Sequence, residues 1–139
     1  MDEDKRQQSI LIAEDDTDIT QVLKLYMENQ GYRVLTAGNG EQACRVFEKE
    51  KIDLGIFDIM MPVMNGYDAA RAIRNLGDDV TLSDEKRREA RNIPLVAMTA
   101  NAFNEDVQNA LRAGMNAHTA KPLSIENFKK VTKKLLKKH

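Results

Sequence analysis

The sequence predicts a single α/β domain built on a parallel sheet, and three observations carry that prediction. Short apolar runs of strand length alternate with amphipathic, helix-length segments about five times, a pattern that parallel strands with right-handed crossovers produce. The run 54–57, Leu-Gly-Ile-Phe, is apolar apart from Gly55 and is bounded by Asp53 and Asp58. That suits a strand buried on both faces. With 139 residues, 42% hydrophobic and 31% charged, the chain is sized for one domain with a real core.

Taken in order, residues 1–8 (M-D-E-D-K-R-Q-Q) are polar and read as a mobile tail. Ser9 to Ala13 is a first buried strand, running into the acid triplet Glu14-Asp15-Asp16. Thr17 or Asp18 is placed to cap a helix whose inner face carries Ile19, Val22, Leu23, Tyr26 and Met27, with Gly31 ending it. Residues 32–37 form a second strand, and Gly38-Asn39-Gly40 turns into a helix with Ala43, Val46 and Phe47 inward. The central strand at 53–57 ends at Asp58, and a Met-Met-Pro turn leads through Asn65-Gly66 into a helix at 66–76. Ala69, Ala70 and Ile73 lie on its packed face. Residues 77–92 are polar and are expected to add an exposed helical turn. Pro94 to Met98 is the fourth strand, with Thr99-Ala100-Asn101 at its end. A helix at 104–113 stops at Gly114, and 117–120 is a short fifth strand reaching Lys121-Pro122. The last helix, 125–138, turns Ile125, Phe128, Val131 and Leu135 inward.

Composition excludes several classes. A formal net charge of -1 gives no electrostatic case for nucleic acid as the main partner. The single Cys44 permits no internal disulfide and fits a reducing compartment. No apolar run approaches the roughly 20 residues that span a bilayer, and the N-terminus lacks a signal-peptide core. A cytoplasmic domain is expected. The lysines of the last helix read as a solvated face favoured by the helix dipole. The seven methionines read mostly as core and loop residues, and Cys44 as a helix residue without a role.

The chemistry lies at the strand ends, where ligands bind in open α/β sheets. Taken alone, an aspartate such as Asp58 reads as a helix cap. The other strand ends supply Glu14 and Asp15, Thr99, and Lys121. At about 4 Å two like charges cost on the order of 1 kcal/mol in water and about 4 at an effective dielectric of 20, so gathered carboxylates call for a cation. One or two carboxylates, with the remaining positions left to water and phosphate oxygens, describe a Mg²⁺ site. Lys121 adds a second positive charge and Thr99 a hydroxyl donor, a set that stabilises a transferring phosphoryl group. A carboxylate can itself accept that group.

Four motifs taken together, I-L-I-A-E-D-D, D-I-M-M-P-V-M-N-G, A-M-T-A-N-A and A-G-M-N-A-H-T-A-K-P-L, resemble the receiver domains of two-component response regulators. The resemblance runs from about Ser9 to Lys138, and the motif wording is most similar to receivers of hybrid sensor histidine kinases. It implies a flavodoxin-like, doubly wound five-stranded sheet in the order 2-1-3-4-5 with helices on both faces, and a receiver domain over 9–139. It implies that Asp58 accepts a phosphoryl group from a phosphohistidine of a sensor kinase or histidine phosphotransfer domain, with Mg²⁺. Asp15 would be a direct metal ligand, Glu14 a ligand through water, and Asp58 and the Met60 backbone carbonyl the other protein oxygens on the metal. Thr99, the Ala100 amide and Lys121 would hold the phosphoryl oxygens, with a cis peptide at Lys121-Pro122. The face made by helix 104–113, strand 117–120 and the last helix would then switch, with homodimerisation on phosphorylation as one outcome. Nothing after the last helix resembles an output domain. A stand-alone regulator or a receiver cut from a larger protein is therefore expected, acting as a signalling domain rather than an enzyme.

The departures are local. Asp16 leaves the acid pair ambiguous by one position, and the family register favours Glu14 and Asp15. His118 stands where the family usually has its switch aromatic, and reads either as a pH-sensitive switch or as an exposed strand histidine. Two other classes share this type of sheet. An aspartate-nucleophile phosphatase needs a second Asp two residues after the nucleophile, where Met60 stands and cannot transfer a proton. A flavin binder needs a glycine- and hydroxyl-rich phosphate loop after the first strand, where Glu14-Asp15-Asp16 would repel phosphate.

Overall fold

The computed structural model describes residues 7–99, 104–120 and 125–136, side chains at 104 and 125 excepted. Five parallel strands, β1 (Ser9–Ala13), β2 (Arg33–Ala37), β3 (Leu54–Asp58), β4 (Leu95–Thr99) and β5 (Ala117–Ala120), stand in the order β2-β1-β3-β4-β5. Six helices follow in chain order: α1 (Thr17–Asn29), α2 (Gly40–Lys49), α3 (Gly66–Asn75), α4 (Asp84–Asn92), α5 (Asn104–Arg112) and α6 (Ile125–Leu136). This is the doubly wound sheet expected from the sequence.

Side-chain alternation along the strands builds two cores. Leu11, Ala13, Phe57, Leu95 and Ala97 face one layer with Phe47 of α2, Ile73 of α3 and Ala90 of α4. Ile10, Ile12, Leu54, Ile56, Val96 and Met98 face the other with Leu23 and Met27 of α1 and Phe128 of α6. β1, β3 and β4 are buried along their whole length, as strands covered on both faces must be.

Several boundaries differ from the sequence reading. The cap of α1 is Asp16, whose Oδ1 accepts from the amides of Asp18 (3.0 Å) and Ile19 (3.4 Å), rather than Thr17 or Asp18. Val22, assigned to the inner face of α1, is 58% exposed, because Leu23 and Met27 alone occupy the buried stripe. In α6, Thr132 and Leu136 join Phe128 in the interior, while Val131 and Leu135 are only partly buried. Strand β4 runs through Thr99, so this residue belongs to the sheet rather than to the loop after it.

The largest difference is α4. An exposed helical turn was expected at 77–92; the helical character holds, but a 3-10 turn (Leu76–Asp78) and a full nine-residue helix docked on the domain stand there. Ser83 caps it by accepting from the Lys86 amide at 3.1 Å, and acids in its first turn and Arg91 in its last suit the dipole. The helix is charged nearly throughout, which hides its one buried side chain, Ala90. Polar contacts dock it. Glu89 accepts from the Ile52 amide (2.8 Å) and from Lys86 (3.2 Å), and Lys86 also donates to the Glu50 carbonyl at 2.7 Å. The same ammonium sits 4.1 Å from the Phe47 ring centroid. From α3, the Arg74 guanidinium donates to the carbonyls of Ala90 (3.0 Å) and Gly114 (2.7 and 2.9 Å) and to Asn116 Oδ1 (2.9 Å). Burial pulls that guanidinium below its ordinary pKa. Gly114, with φ +94, makes the turn out of α5 that brings its carbonyl there.

Glu89→Ala strands the Ile52 amide and takes from the largely buried Lys86 ammonium its carboxylate partner, and is expected to cost about 1–3 kcal/mol. Urea unfolding checks it. A loss within about 0.5 kcal/mol, typical of free surface positions, would mean that α4 is not docked by this contact.

Candidate phosphoryl-acceptor site

Parallel register brings the chemistry to one edge of the sheet. The Glu14 amide donates to the Ala37 carbonyl at 3.0 Å, so the backbone stays in the sheet one residue beyond β1. Its carboxylate is buried, and Oε2 accepts from the Asp16 amide at 3.0 Å. Asp15, next in the chain, is exposed. On the neighbouring strand Asp58 ends β3, buried, with Oδ1 accepting from the Met60 amide at 3.0 Å. One carboxylate oxygen from each of Glu14, Asp15 and Asp58 lies within 4.8 Å of the others. Asp16 is occupied as the α1 cap, which resolves the ambiguity of the acid triplet in favour of Glu14 and Asp15.

Three hard oxygen donors at this spacing suit a small divalent cation such as Mg²⁺. Thr99 ends β4, the strand next to β3. It is fully buried, and its Oγ1 has no hydrogen-bond partner among the described residues. A hydroxyl in that condition is costly unless another group completes it. Met98 is the register partner of Asp58, so Thr99 stands one step further toward the strand ends, opposite Ala120. His118 pairs with Ala97 in register and therefore shares the sheet face of Thr99, but its side chain is exposed. Ala100, Lys121 and the Lys121-Pro122 peptide lie outside the described residues.

The loop after Asp58 is held from two sides. Gly40 at the start of α2 donates its amide to the Met64 carbonyl at 2.8 Å. Asn65 caps α3 by accepting from the Asp68 amide at 2.8 Å. A Cβ on Gly66 would lie 2.5 Å from the Asp58 carbonyl oxygen, so only glycine lets α3 begin this close to the strand. The Met60 side chain is 72% exposed and reaches outward. Cys44, read from the sequence as a helix residue without a role, has no activated thiol. Burial, with Glu48 and Glu41 nearby, pushes its thiol up to about 11, so it stays protonated at neutral pH.

A family profile for the response regulator receiver domain matches residues 10–133. The chain belongs to this family. This receiver is 30% identical over 91% of its length to probable histidine kinase 1 of Oryza sativa subsp. indica, but spans only 15% of that protein. It is 32% identical over 92% of its length to the transcriptional regulatory protein RprY of Bacteroides fragilis, spanning 48% of it. It thus covers less than half the length of either curated relative. Among solved structures, the receiver domain of sensor histidine kinase PA1611 from Pseudomonas aeruginosa is 32% identical, with a TM-score of 0.78. The match covers 95% of this chain and 99% of that one, and that structure holds a magnesium ion in its active-site cleft.

Sequence reasoning missed one feature of the receiver's loop, because a valine carries no signal for it. Val63 adopts φ 68, and the Met64 amide donates to the Pro62 carbonyl across it at 2.6 Å, closing a γ-turn. Positive φ is strained for a β-branched residue by about 1–3 kcal/mol, and Val63, 77% exposed, gains little from packing. Val63→Gly relieves that strain and gives back about 0.5–1 kcal/mol through the freer unfolded chain. A net gain of about 1 kcal/mol is expected in thermal melts; an unchanged or lower midpoint would mean that the turn is unstrained.

Proposed function

We propose that this receiver takes a phosphoryl group onto Asp58 from a phosphohistidine of a sensor kinase or histidine phosphotransfer domain. The observation that carries the reading is the trio of carboxylates within 4.8 Å beside a buried, unpartnered threonine hydroxyl. An Asp58 carboxylate oxygen attacks phosphorus, the P–N bond breaks, and the imidazole leaves with a proton from solvent. The Met60 amide, bonded to Oδ1, helps to orient the attacking carboxylate. Asp15 and Glu14, with the Met60 carbonyl, would hold Mg²⁺, which when bound offsets the charge of carboxylates and phosphoryl oxygens. Thr99 donates its hydroxyl to the phosphoryl oxygen, satisfying both groups, and Lys121 and the Ala100 amide complete the set. The thioether of Met60 offers no proton for fast hydrolysis, which favours a signalling role over that of a phosphatase.

The output is the face of α5, β5 and α6, reached through Thr99 and the pairing of its strand, β4, with β5. His118, on that face at the sheet edge, is the switch position, and a phosphorylation-dependent homodimer would form there. Among the described residues no helix is long and apolar enough to cross a membrane. The lone cysteine further supports a cytoplasmic module spanning 9–139.

Incubation with acetyl phosphate and Mg²⁺ should add one phosphoryl group by intact mass, and Asp58→Asn should abolish it. Addition that persists in the variant would overturn the assignment. Asp15→Asn should melt higher than the parent in chelator, because one like charge is gone. Saturating Mg²⁺ should then narrow or reverse the order, since it stabilises only the intact trio. Equal Mg²⁺ stabilisation of both proteins would refute the ligand role.

Thr99→Ala and Lys121→Ala should keep the fold and some phosphorylation yet lose most of the change in amide exchange in α6. Their contacts exist mainly in the phosphorylated state. An undiminished change in both would disprove this route to the output face.

A further inference from the structure

The carboxylate trio and Thr99 lie at the ends of β1, β3 and β4, yet the first residue of α2 meets the loop that follows Asp58. Gly40 is buried, and its amide donates to the Met64 carbonyl at 2.8 Å. A Cβ on Gly40 would lie 2.5 Å from that carbonyl oxygen and 2.9 Å from the carbonyl oxygen of Asn65. The helix start is fixed by its own bonds. The Gln42 amide donates to Asn39 Oδ1 at 2.9 Å, and Gln42 Oε1 accepts from the Gly38 amide at 2.8 Å. Ala43 and Phe47 behind it are fully buried, so α2 cannot retreat without opening the core. The loop is the side that yields, since Met60 and Val63 are exposed. Its far side already rests on β3, where Gly66 abuts the Asp58 carbonyl.

We infer that Gly40 is a positioning residue for the metal site. By leaving room for loop 60–65 and bonding it, Gly40 sets where the Met60 carbonyl and Asp58 stand relative to Glu14 and Asp15. The inference rests on the reading of these groups as a Mg²⁺ site. A methyl group at position 40 reaches about 3.0 Å, the shortest approach a Cβ makes, only if the loop backs off by about 0.5 Å. Mg²⁺ holds its oxygens at about 2.0–2.1 Å in a near-octahedral set, and a ligand distance wrong by more than about 0.2 Å spoils such a site. With β3 on its other side, the displaced loop passes the push to Met60 and Asp58 rather than absorbing it. Coupling of this kind is reciprocal: if Gly40 places the loop for the ion, the ion steadies the loop against Gly40.

The probe is Mg²⁺ alone, titrated by calorimetry. Gly40→Ala should bind it about tenfold more weakly than the parent, the loss typical of a residue that supports metal ligands without touching the metal. The control is Gly31→Ala, which strains a residue of φ +96 with nothing within 4 Å and so lowers stability away from the site. Its Mg²⁺ affinity should match that of the parent. In the parent, exchange of the Gly40 amide, followed by NMR, should slow on saturation with Mg²⁺, and Asp15→Asn should lose that response. Equal affinity in Gly40→Ala and the parent overturns the inference, as does an equal loss in Gly31→Ala or a Gly40 amide indifferent to Mg²⁺. A parent that binds no Mg²⁺ overturns the metal site along with it. If Gly40→Ala does not fold, the amide measurement decides alone.

Discussion

Parallel strands that end level with one another force their terminal side chains together, and here three of those side chains are carboxylates. Within 4.8 Å each pair repels by about 3 kcal/mol at an effective dielectric of 20, against a net stability of about 5–15 kcal/mol for a typical domain. The surrounding architecture answers that cost. Backbone amides of Asp16 and Met60 bond Glu14 and Asp58, Asp15 stays in solvent, and Gly66 lets α3 start against the Asp58 backbone. The remaining imbalance is what gives the site its appetite for a cation.

Much of this was legible in the chain itself. Buried strands announce themselves as continuous apolar runs, and their ends as the first charged residues afterwards, which is how Glu14, Asp15 and Asp58 were found together. The periodic faces of α2 and α3 were equally plain, because alanines and Ile73 recur at helical spacing. What failed was of another kind. Periodicity treats every apolar residue as a candidate for burial, so it placed Val22 inside when the stripe had room only for Leu23 and Met27. In the other direction it treated a charged segment as solvent-exposed. Helix α4 is anchored by an ion pair, a ring contact and main-chain hydrogen bonds, none of which leaves an apolar pattern.

Helix α4 also divides the molecule by task. The C-terminal ends of the strands carry the titratable cluster and a loop under strain at Val63. Near α4, by contrast, Arg74 spends its donors on three backbone or amide oxygens, and Glu89 and Lys86 satisfy each other and their neighbours. Stability and reactivity are thus concentrated in separate regions, consistent with active sites being drawn from the less stable parts of a fold.

That separation bears on β5. Its near end is pinned, since Asn116 exchanges hydrogen bonds with Leu95 (2.7 and 2.8 Å) while also receiving Arg74. Its far end, at Ala120, lies beside Thr99. The strand has four residues, a length of about 13 Å at 3.3 Å per residue. The strand is also paired with β4 along its whole length, and a displacement of about 1 Å at its tip is a rotation of about 4° on that length. Arg74 is in this sense a fulcrum, and the arm it steadies leads directly toward α6.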